Sequence, residues 1–213
     1  MKKIVGFALS ITICLSLTGC FNIIEEIFLN KDGSGTYVNV FDMSEGAGAL
    51  AIFDTTGEIL KAEKSLDSIT QVSAKKLQLI NGVSNVKIDD SKKHVVTMSL
   101  DFTDLSVLNR AIDLDKKIES EKHVYSWSKG TLIRKDGGIS HLFGDDFLAL
   151  DNEMMSTFFS DSRYKIIYHL PGAVKKMGNK KASLSSDKKT STLEINLGEF
   201  IKGEATLNNE VKY

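Results

Sequence analysis

The feature that most constrains this fold is a pair of apolar segments on either side of a tight Asp-Gly turn. Residues 22–29 (NIIEEIFL) and 36–43 (TYVNVFDM) are rich in β-branched and aromatic side chains, and Asp32-Gly33 lies between them. An Asp-Gly pair between two such segments predicts a β-hairpin. Residues 83–89 and 94–102 repeat this pattern around a polar turn, so they predict a second hairpin.

The rest of the chain mixes strand-like segments with helical periodicity. Helices are predicted over residues 73–80, from a cap at Thr103 or Asp104 to about Glu121, and over 145–159. Further strands are predicted at 123–134 with a bend near Gly130, and at 163–170, 181–185, 190–197 and 204–212, with a turn at 198–203. We therefore predict an α+β fold: a mainly antiparallel sheet of hairpins with two or three helices packed on one face.

Composition excludes several classes of protein. The 213 residues carry 27 Lys and Arg against 28 Asp and Glu, a net charge of −1, so no overall basic footprint for nucleic acid is present. A mean hydropathy of −0.09 excludes a protein with many membrane spans. Two cysteines are too few for a disulfide-dense scaffold or a four-thiolate zinc site.

The N-terminus has the organisation of a secretory signal. Lys2 and Lys3 precede an uncharged apolar stretch over residues 4–17, which is shorter than the roughly 20 residues a membrane span needs. The sequence Leu17-Thr18-Gly19-Cys20 that follows resembles the bacterial lipobox, in which the cysteine is lipidated and the chain is cut before it. The alternatives are an ordinary cleaved signal with a coincidental cysteine, or an uncleaved anchor helix.

The lipobox resemblance implies a division of the chain into a signal peptide, residues 1–19, and a single α+β domain, residues 20–213, anchored at Cys20. Removal of the first 19 of 213 residues leaves 194, and the loss of Lys2 and Lys3 leaves 25 basic against 28 acidic residues, a charge of −3. Cys14 leaves with the signal, so no disulfide can form within the domain. Two or three acyl chains on Cys20 would anchor it stably.

Catalytic and metal-binding motifs are weak in this sequence. His141 with Asp145 and Asp146 could form an acid–base or metal cluster, but two acids at a helix start are also expected from helix electrostatics. Ser73 and Lys76 have the spacing of a nucleophile and base, a pattern common by chance in a chain rich in both residues. The four histidines, none in a short ligand motif, are His94, His123, His141 and His169. We predict no enzyme activity and no cofactor.

Residues 30–35 (NKDGSG) also partly match a calcium-binding loop. The match fails at its twelfth position, where Phe41 replaces the required bidentate glutamate. We therefore predict a plain hairpin turn with no metal.

The predicted helix at 145–159 carries a wide apolar face. Packing against the sheet explains such a face, but a combination of Met and Phe also suits an adaptable pocket for an acyl chain or a hydrophobic partner. The candidate pocket residues are Phe147, Leu148, Met154, Met155, Phe158 and Phe159. The basic stretch 175–181 (KKMGNKK) could in addition touch anionic headgroups.

Two groups of turn motifs resemble the LppM-like group of bacterial lipoproteins. One is the stretch from Asn30 to Thr36 with Asp42-Met43-Ser44, and the other is Tyr168-His169-Leu170-Pro171-Gly172 followed by paired strands and Gly203-Glu204-Ala205. The resemblance implies an α+β domain with a lipid-contacting cavity. It carries over no catalytic residue.

The sequence thus predicts a lipid-anchored protein of the bacterial cell membrane or outer membrane that faces an extracytoplasmic compartment. Its domain is expected to bind an amphiphile or envelope lipid. The alternative is a structural or assembly partner in an envelope protein complex, which would use an exposed sheet edge or the loop at 44–64. Nucleic acid is not an expected partner.

Overall fold

A computed structural model describes residues 21–45, 74–113, 124–135, 156 and 159–213. Its strands are β1 (Asn22–Leu29), β2 (Gly35–Asp42), β3 (Val83–Asp89), β4 (Val95–Phe102), β5 (Tyr125–Ser128), β6 (Thr131–Arg134), β7 (Arg163–His169), β8 (Lys176–Met177), β9 (Ala182–Leu184), β10 (Thr190–Asn196) and β11 (Asn209–Lys212). Two helices, α1 (Leu105–Ile112) and α2 (Leu197–Ile201), accompany a helical segment at 74–78.

The described strands form two sheets. The larger sheet has the order β3-β4-β2-β1-β7-β10-β9, and the smaller has the order β5-β6-β11-β8. Neighbouring strands are antiparallel except for β1 and β7, which pair in parallel in the middle of the larger sheet. The predicted α+β class with mainly antiparallel pairing is confirmed, while the division into two sheets and the parallel pair were not predicted.

Both predicted hairpins in the first half of the chain are confirmed. β1 pairs with β2 over their whole length, from Asn22 opposite Asp42 to Leu29 opposite Gly35. In the connecting turn, the Asp32 carboxylate accepts hydrogen bonds from the Ser34 amide (3.1 Å) and hydroxyl (2.7 Å). Gly33 takes a φ of 87°, which costs glycine little. These local bonds are those of a tight turn between strands.

The segment predicted as one bent strand at 123–134 is instead a hairpin. β5 pairs with β6, and Lys129 and Gly130 connect them with φ values of 49° and 73°. Two successive residues with positive φ make the kind of two-residue turn that favours a hairpin. The prediction was wrong because Lys is an unusual residue at such a position, so the Ser-Lys-Gly-Thr stretch lacks the usual Asn-Gly or Asp-Gly signal.

The C-terminal quarter departs from the prediction in two further places. The stretch predicted as a turn at 198–203 contains α2, because the Asn196 side chain caps the helix by accepting a hydrogen bond from the Glu199 amide at 3.0 Å. The strand predicted at 204–212 is confined to β11, which also pairs with the short strand β8. The strands predicted at 163–170, 181–185 and 190–197 are confirmed as β7, β9 and β10.

Helix α1 connects the two sheets. Asp104 caps it as predicted, accepting hydrogen bonds from the amides of Ser106 (2.9 Å) and Val107 (3.1 Å). The buried side chain of Asn109 donates to the Tyr125 carbonyl at 2.7 Å and accepts from the Tyr125 amide at 2.8 Å. One helical side chain therefore satisfies both backbone groups of the first residue of β5, which fixes the smaller sheet to the helix.

Candidate functional site

A cluster of buried polar side chains lies where the two sheets face each other. Strand β1 alternates, and its buried positions are Ile23, Glu25, Ile27 and Leu29, so the register places one carboxylate in an otherwise apolar row. Strand β6 buries an arginine in the same way. We call this cluster the polar core; its members are Glu25, Tyr37, Tyr125, Arg134, Tyr164 and Tyr168.

The Glu25 carboxylate is the acceptor around which the polar core is arranged. Its Oε1 accepts from the Tyr37 hydroxyl at 3.1 Å, and its Oε2 accepts from the Tyr125 hydroxyl at 2.7 Å. Nη2 of Arg134 lies 3.4 Å from the same Oε2, and both side chains of this ion pair are buried. Because Glu25 is in the larger sheet while Tyr125 and Arg134 are in the smaller, these bonds hold the two sheets together.

Aromatic rings surround the Arg134 guanidinium. Its central carbon lies 5.7 Å from the ring centroids of both Tyr125 and Tyr164, and its Nε donates to the Tyr125 hydroxyl at 3.2 Å. A cation over an aromatic face is attracted by the ring, most strongly where water is excluded.

The electrostatics of the polar core keep its groups in one protonation state. Burial alone would raise the pKa of Glu25, but the Arg134 charge and the tyrosine hydroxyls together hold it below its ordinary value. Burial, then the charge of Glu25, raises the pKa of Tyr37 and Tyr125 well above the ordinary value. At neutral pH the acid is ionised and the tyrosines are protonated, so the polar core offers no group poised for proton transfer.

Sequence reasoning missed the polar core, although part of its signal was present. In β1 the alternation of buried side chains runs through Glu25, and in β7 it places Tyr164 and Tyr168 on the buried face around Ile166. A charged residue at a buried register position indicates an internal partner. The partner itself, Arg134, is 109 residues away along the chain, and no local pattern identifies it.

A second cluster, of aromatic rings, lies at the start of β1. The Phe21 ring is 5.2 Å from that of Phe41 and 4.9 Å from that of Phe159, the latter in an edge-to-face arrangement. Phe21 is buried, its amide donates to Ser162 Oγ at 3.1 Å, and its carbonyl accepts from the Arg163 amide at 3.1 Å. The chain is therefore packed into the fold from the residue directly after Cys20.

Of the six predicted pocket residues, Phe159 lies within the described part of the chain. It is buried in the apolar core beside Phe21. Cys20 and the other five predicted pocket residues lie outside the described residues, as do the signal segment 1–19 and the acidic pair Asp145 and Asp146. The predictions for those positions remain predictions. The five predicted pocket residues outside the described part of the chain are Phe147, Leu148, Met154, Met155 and Phe158.

Two of the four histidines fall within the described residues. His94 precedes β4 with a φ of 62°. His169 ends β7, where its ring stacks on Phe28 at 4.2 Å and its Nδ1 lies 3.3 Å from the Thr190 hydroxyl. Its Nε2 is 2.5 Å from the Glu26 carboxylate. His123 and His141 lie outside the described residues.

Glu26, His169 and Thr190 are connected in the acid–imidazole–hydroxyl order of a hydrolytic triad. Their surroundings, however, differ from those of a catalytic triad. The three residues lie on three adjacent strands of the larger sheet: Thr190 is directly opposite His169, and Glu26 is diagonal to it, opposite Ile167. A triad also needs N–H donors for the oxyanion, and the Thr190 amide already donates to Ser185 Oγ at 3.0 Å. Cross-strand pairing accounts for the contacts of these three side chains.

Within the described ranges, no three His, Cys, Asp or Glu side chains are grouped so that they could hold a metal ion. No described helix is long and apolar enough to span a membrane.

A protein partner was predicted to dock along an exposed sheet edge, and β3, one edge of the larger sheet, is irregular. Its pairing with β4 shifts between Ser84 and Lys87, and Asn85 there has a φ of 51°. An extra residue of this kind twists an edge strand away from further pairing. Of the loop at 44–64, the other surface proposed for a protein partner, residues 46–64 lie outside the described residues.

Comparisons with known proteins found limited similarity. No protein-family model matches the chain. It is 22% identical over 109 residues to 3'(2'),5'-bisphosphate nucleotidase 1 of Candida albicans (strain WO-1), an alignment of 50% of this chain and 30% of that protein, so the chain spans less than a third of that relative. The folded domain of LppM from Mycobacterium tuberculosis is a structural neighbour with a TM-score of 0.42 and 11% identity over 92% of each chain. No residue role is transferred from either protein.

Proposed function

We propose that this chain is a bacterial lipoprotein, anchored by lipid at Cys20, whose extracytoplasmic domain binds an amphiphile without catalysing a reaction. The anchoring bilayer is the cell membrane or the outer membrane. The position of Phe159 against Phe21 is the observation that carries this proposal.

The beginning of the fold supports the anchor. Phe21 is buried and bonded through its amide to Ser162, so no spacer separates Cys20 from the first strand. A signal cut before Cys20 would leave an N-terminus that is immediately followed by folded structure. Acyl chains on that residue would hold the start of β1 against the bilayer.

The location of Phe159 supports amphiphile binding at the same end of the domain. Phe159 is the last residue of the predicted pocket face, and its ring lies 4.9 Å from that of Phe21, next to the proposed lipid site. A pocket lined by this face would therefore open near the bilayer that supplies its ligand. Phe41 adds a third ring on this side, 5.2 Å from Phe21.

The absence of catalysis is proposed from the state of the polar core. The buried ionisable cluster of the described residues is a permanent ion pair within a shell of protonated tyrosines. Enzymes instead place at their sites groups whose pKa is near the working pH. The polar core of this protein is suited to fixing two sheets, and so to keeping a binding surface rigid.

The anchor is tested by replacing each cysteine in turn. Cys20→Ser should abolish lipid attachment, and the protein should leave the membrane fraction or retain its signal segment. Cys14→Ser, within the apolar stretch, is the matched control and should be processed normally. Intact-mass measurement and cell fractionation report the result. A mass that differs from that of the unaltered protein only by the exchange of sulfur for oxygen, together with unchanged membrane residence, would contradict the proposed anchor.

A further inference from the structure

The end of the two sheets remote from Asn22 gathers five segments into one surface, which we call the distal rim. It consists of the β1–β2 turn (30–34), the β5–β6 turn (129–130), residues 170–176 from the end of β7 to the start of β8, the β9–β10 turn (185–189) and residues 212–213 at the end of β11. The register fixes this grouping. Leu29 and His169 are the last residues of the neighbouring strands β1 and β7, and Thr190 pairs with His169.

Direct contacts join the segments of the distal rim. The Trp127 indole lies against Gly33, so an added Cβ there would be 3.5 Å from the ring. The Tyr213 amide donates to the Gly130 carbonyl at 2.9 Å, and the Lys175 amide donates to the Lys212 carbonyl at 2.7 Å. A further bond of 2.9 Å runs from the Leu170 amide to the Lys189 carbonyl. The five segments therefore form a continuous surface at one end of the molecule.

The distal rim is strongly basic. Among the described residues, none of its lysines forms an ion pair with a carboxylate, whereas Lys165 and Lys181 elsewhere on the surface do. The carboxylates of its two acids accept local hydrogen bonds and form no ion pair with a described lysine. Asp32 accepts from Ser34, and Asp187 accepts from the Ser185 hydroxyl at 2.5 Å and from the Lys189 amide at 2.9 Å. The exposed lysines of the distal rim are Lys31, Lys129, Lys175, Lys176, Lys188, Lys189 and Lys212.

A third acid at this end, Asp104, lies beyond β4, and its carboxylate also accepts local hydrogen bonds. Its carboxylate caps α1 by accepting from the amides of Ser106 and Val107. Hydrogen bonding leaves these carboxylates charged, so the distal rim has seven lysines against its two acids, or against three when Asp104 is included, although the whole chain is nearly neutral.

Exposed aromatic rings accompany this charge. Trp127 is 38% exposed and Phe28 is 40% exposed; both lie at this end, Trp127 over the 30–34 turn and Phe28 one residue from the end of β1. A tryptophan beside lysines suits the bilayer interface, where the ring enters the headgroup region and the ammonium groups remain at the phosphates. A soluble polyanion would match the lysines but would leave the rings in water.

We propose that the distal rim binds the anionic headgroup surface of a lipid bilayer. Strand β1 runs eight residues from Asn22 to Leu29, so about 25 Å separates the start of the fold from the distal rim. An anchor at Cys20 holds the opposite end of β1, so the bilayer at the distal rim is a second one. The protein then links two membrane surfaces, a role that goes beyond the amphiphile binding proposed above.

A vesicle-clustering experiment tests this proposal. The full chain is reconstituted into phosphatidylcholine vesicles and mixed with vesicles that contain phosphatidylglycerol, and clustering is followed by light scattering. Clustering should occur with phosphatidylglycerol vesicles and not with pure phosphatidylcholine. It should also weaken as salt is raised, because exposed charges are screened within about 10 Å at 0.1 M salt.

Two charge-matched variants locate the binding surface. Lys175→Gln with Lys189→Gln removes two charges from the distal rim and should weaken association about 30-fold, since each lysine near an anionic membrane contributes roughly a fivefold effect. Lys92→Gln with Lys93→Gln removes two charges from the β3–β4 turn at the opposite end and should change association less than about twofold. Trp127→Ala should weaken binding without altering the salt dependence.

The outcomes distinguish this proposal from the one above. Equal clustering with neutral vesicles, or equal losses for the two double variants, would overturn the distal rim as a lipid site. Clustering that is absent while soluble polyglutamate binds the distal rim would also overturn it, in favour of an acidic polymer. The proposal rests on the anchor proposed at Cys20, so the intact mass of the reconstituted protein is measured first. A chain without lipid at Cys20 would count against the anchor, whereas a lipidated chain that fails to cluster vesicles would count against the distal rim. The pocket near Phe159 plays no part in this experiment and is tested separately by lipid analysis.

Discussion

The Glu25 carboxylate and the Arg134 guanidinium meet at 3.4 Å between two different sheets, both buried. Glu25 belongs to β1 in the middle of the larger sheet, and Arg134 ends β6 in the smaller one. Tyrosines from β2 and β5 donate to the same carboxylate. The pair is thus the charged centre of the contact that fixes how the sheets are arranged.

Removing one member of this pair should be strongly destabilising. Glu25→Ala leaves the buried Arg134 charge unpaired, and we expect a loss of about 3–5 kcal/mol in the free energy of unfolding. The control Glu194→Ala removes an exposed partner of Lys165, 2.8 Å away, and should cost at most about 1 kcal/mol. Urea titration followed by tryptophan fluorescence measures both. Similar small losses for the two variants would show that Glu25 does not hold the sheets together.

The same carboxylate predicts a pH dependence. The pKa of Glu25 is lower in the folded chain than its ordinary value of 4.5, mainly because Arg134 and the tyrosine hydroxyls outweigh the effect of burial. Its ionised form therefore adds stability that is complete above about pH 4.5 and is lost as the pH falls through the folded pKa.

Glu25→Gln should therefore show a shallower loss of stability below pH 4.5 than the unaltered protein. Asp187→Asn is the control, since its pKa is also lowered, by hydrogen bonds from the Ser185 side chain and the Lys189 amide, but its carboxylate is exposed. Urea midpoints measured across the acid range give the comparison. Parallel curves for Glu25→Gln and the unaltered protein would contradict a lowered pKa at Glu25.

Two glycines with similar backbones should respond differently to alanine. Gly82 and Gly203 have φ values of 95° and 75°, so alanine is strained at both. At Gly82 an added Cβ would also lie 2.6 Å from Thr103 Oγ1, whereas at Gly203 nothing lies within 4 Å. We expect Gly82→Ala to cost about 1–3 kcal/mol more than Gly203→Ala in urea unfolding. Equal costs would mean that the contact between Gly82 and the start of α1 is looser than described.

The cap of α1 provides a prediction with a conservative control. Asp104→Ala removes the acceptor for the Ser106 and Val107 amides and should lower the free energy of unfolding by about 0.5–2 kcal/mol. Asp104→Asn keeps a side-chain oxygen at the cap and should restore most of the loss. The test fails if alanine and asparagine give the same midpoint.

The parts of the fold that the sequence predicted depend on local signals. The β1–β2 hairpin was predicted because Asp32-Gly33 forms the turn by itself, and the start of α1 because Asp104 is a good cap. The β5–β6 hairpin was missed because its turn uses Lys129 with a positive φ. Helix α2 was missed because two glycines made residues 198–203 look like a turn, while the Asn196 cap supports a helix.

The other features that the sequence did not predict depend on contacts between residues far apart along the chain. The parallel pairing of β1 with β7 places Asn22 opposite Arg163, and no local sequence pattern predicts this pairing. The polar core likewise takes its members from five strands. The alternation of β1 and β7 shows that Glu25, Tyr164 and Tyr168 are buried, but it does not show that they meet. In the aromatic cluster, Phe159 was predicted as a lining residue of a pocket, but its contact with Phe21 required the fold.

Native mass spectrometry of the full chain purified from bacterial membranes tests the central claim most directly. We expect a bound lipid, in addition to any lipid attached at Cys20, and a loss of the bound lipid in Phe159→Leu. Phe102→Leu is the control, since Phe102 is equally buried but pairs with Gly35 at the opposite end of the sheet. A chain without bound lipid, or equal lipid occupancy in both variants, would contradict amphiphile binding beside Phe21.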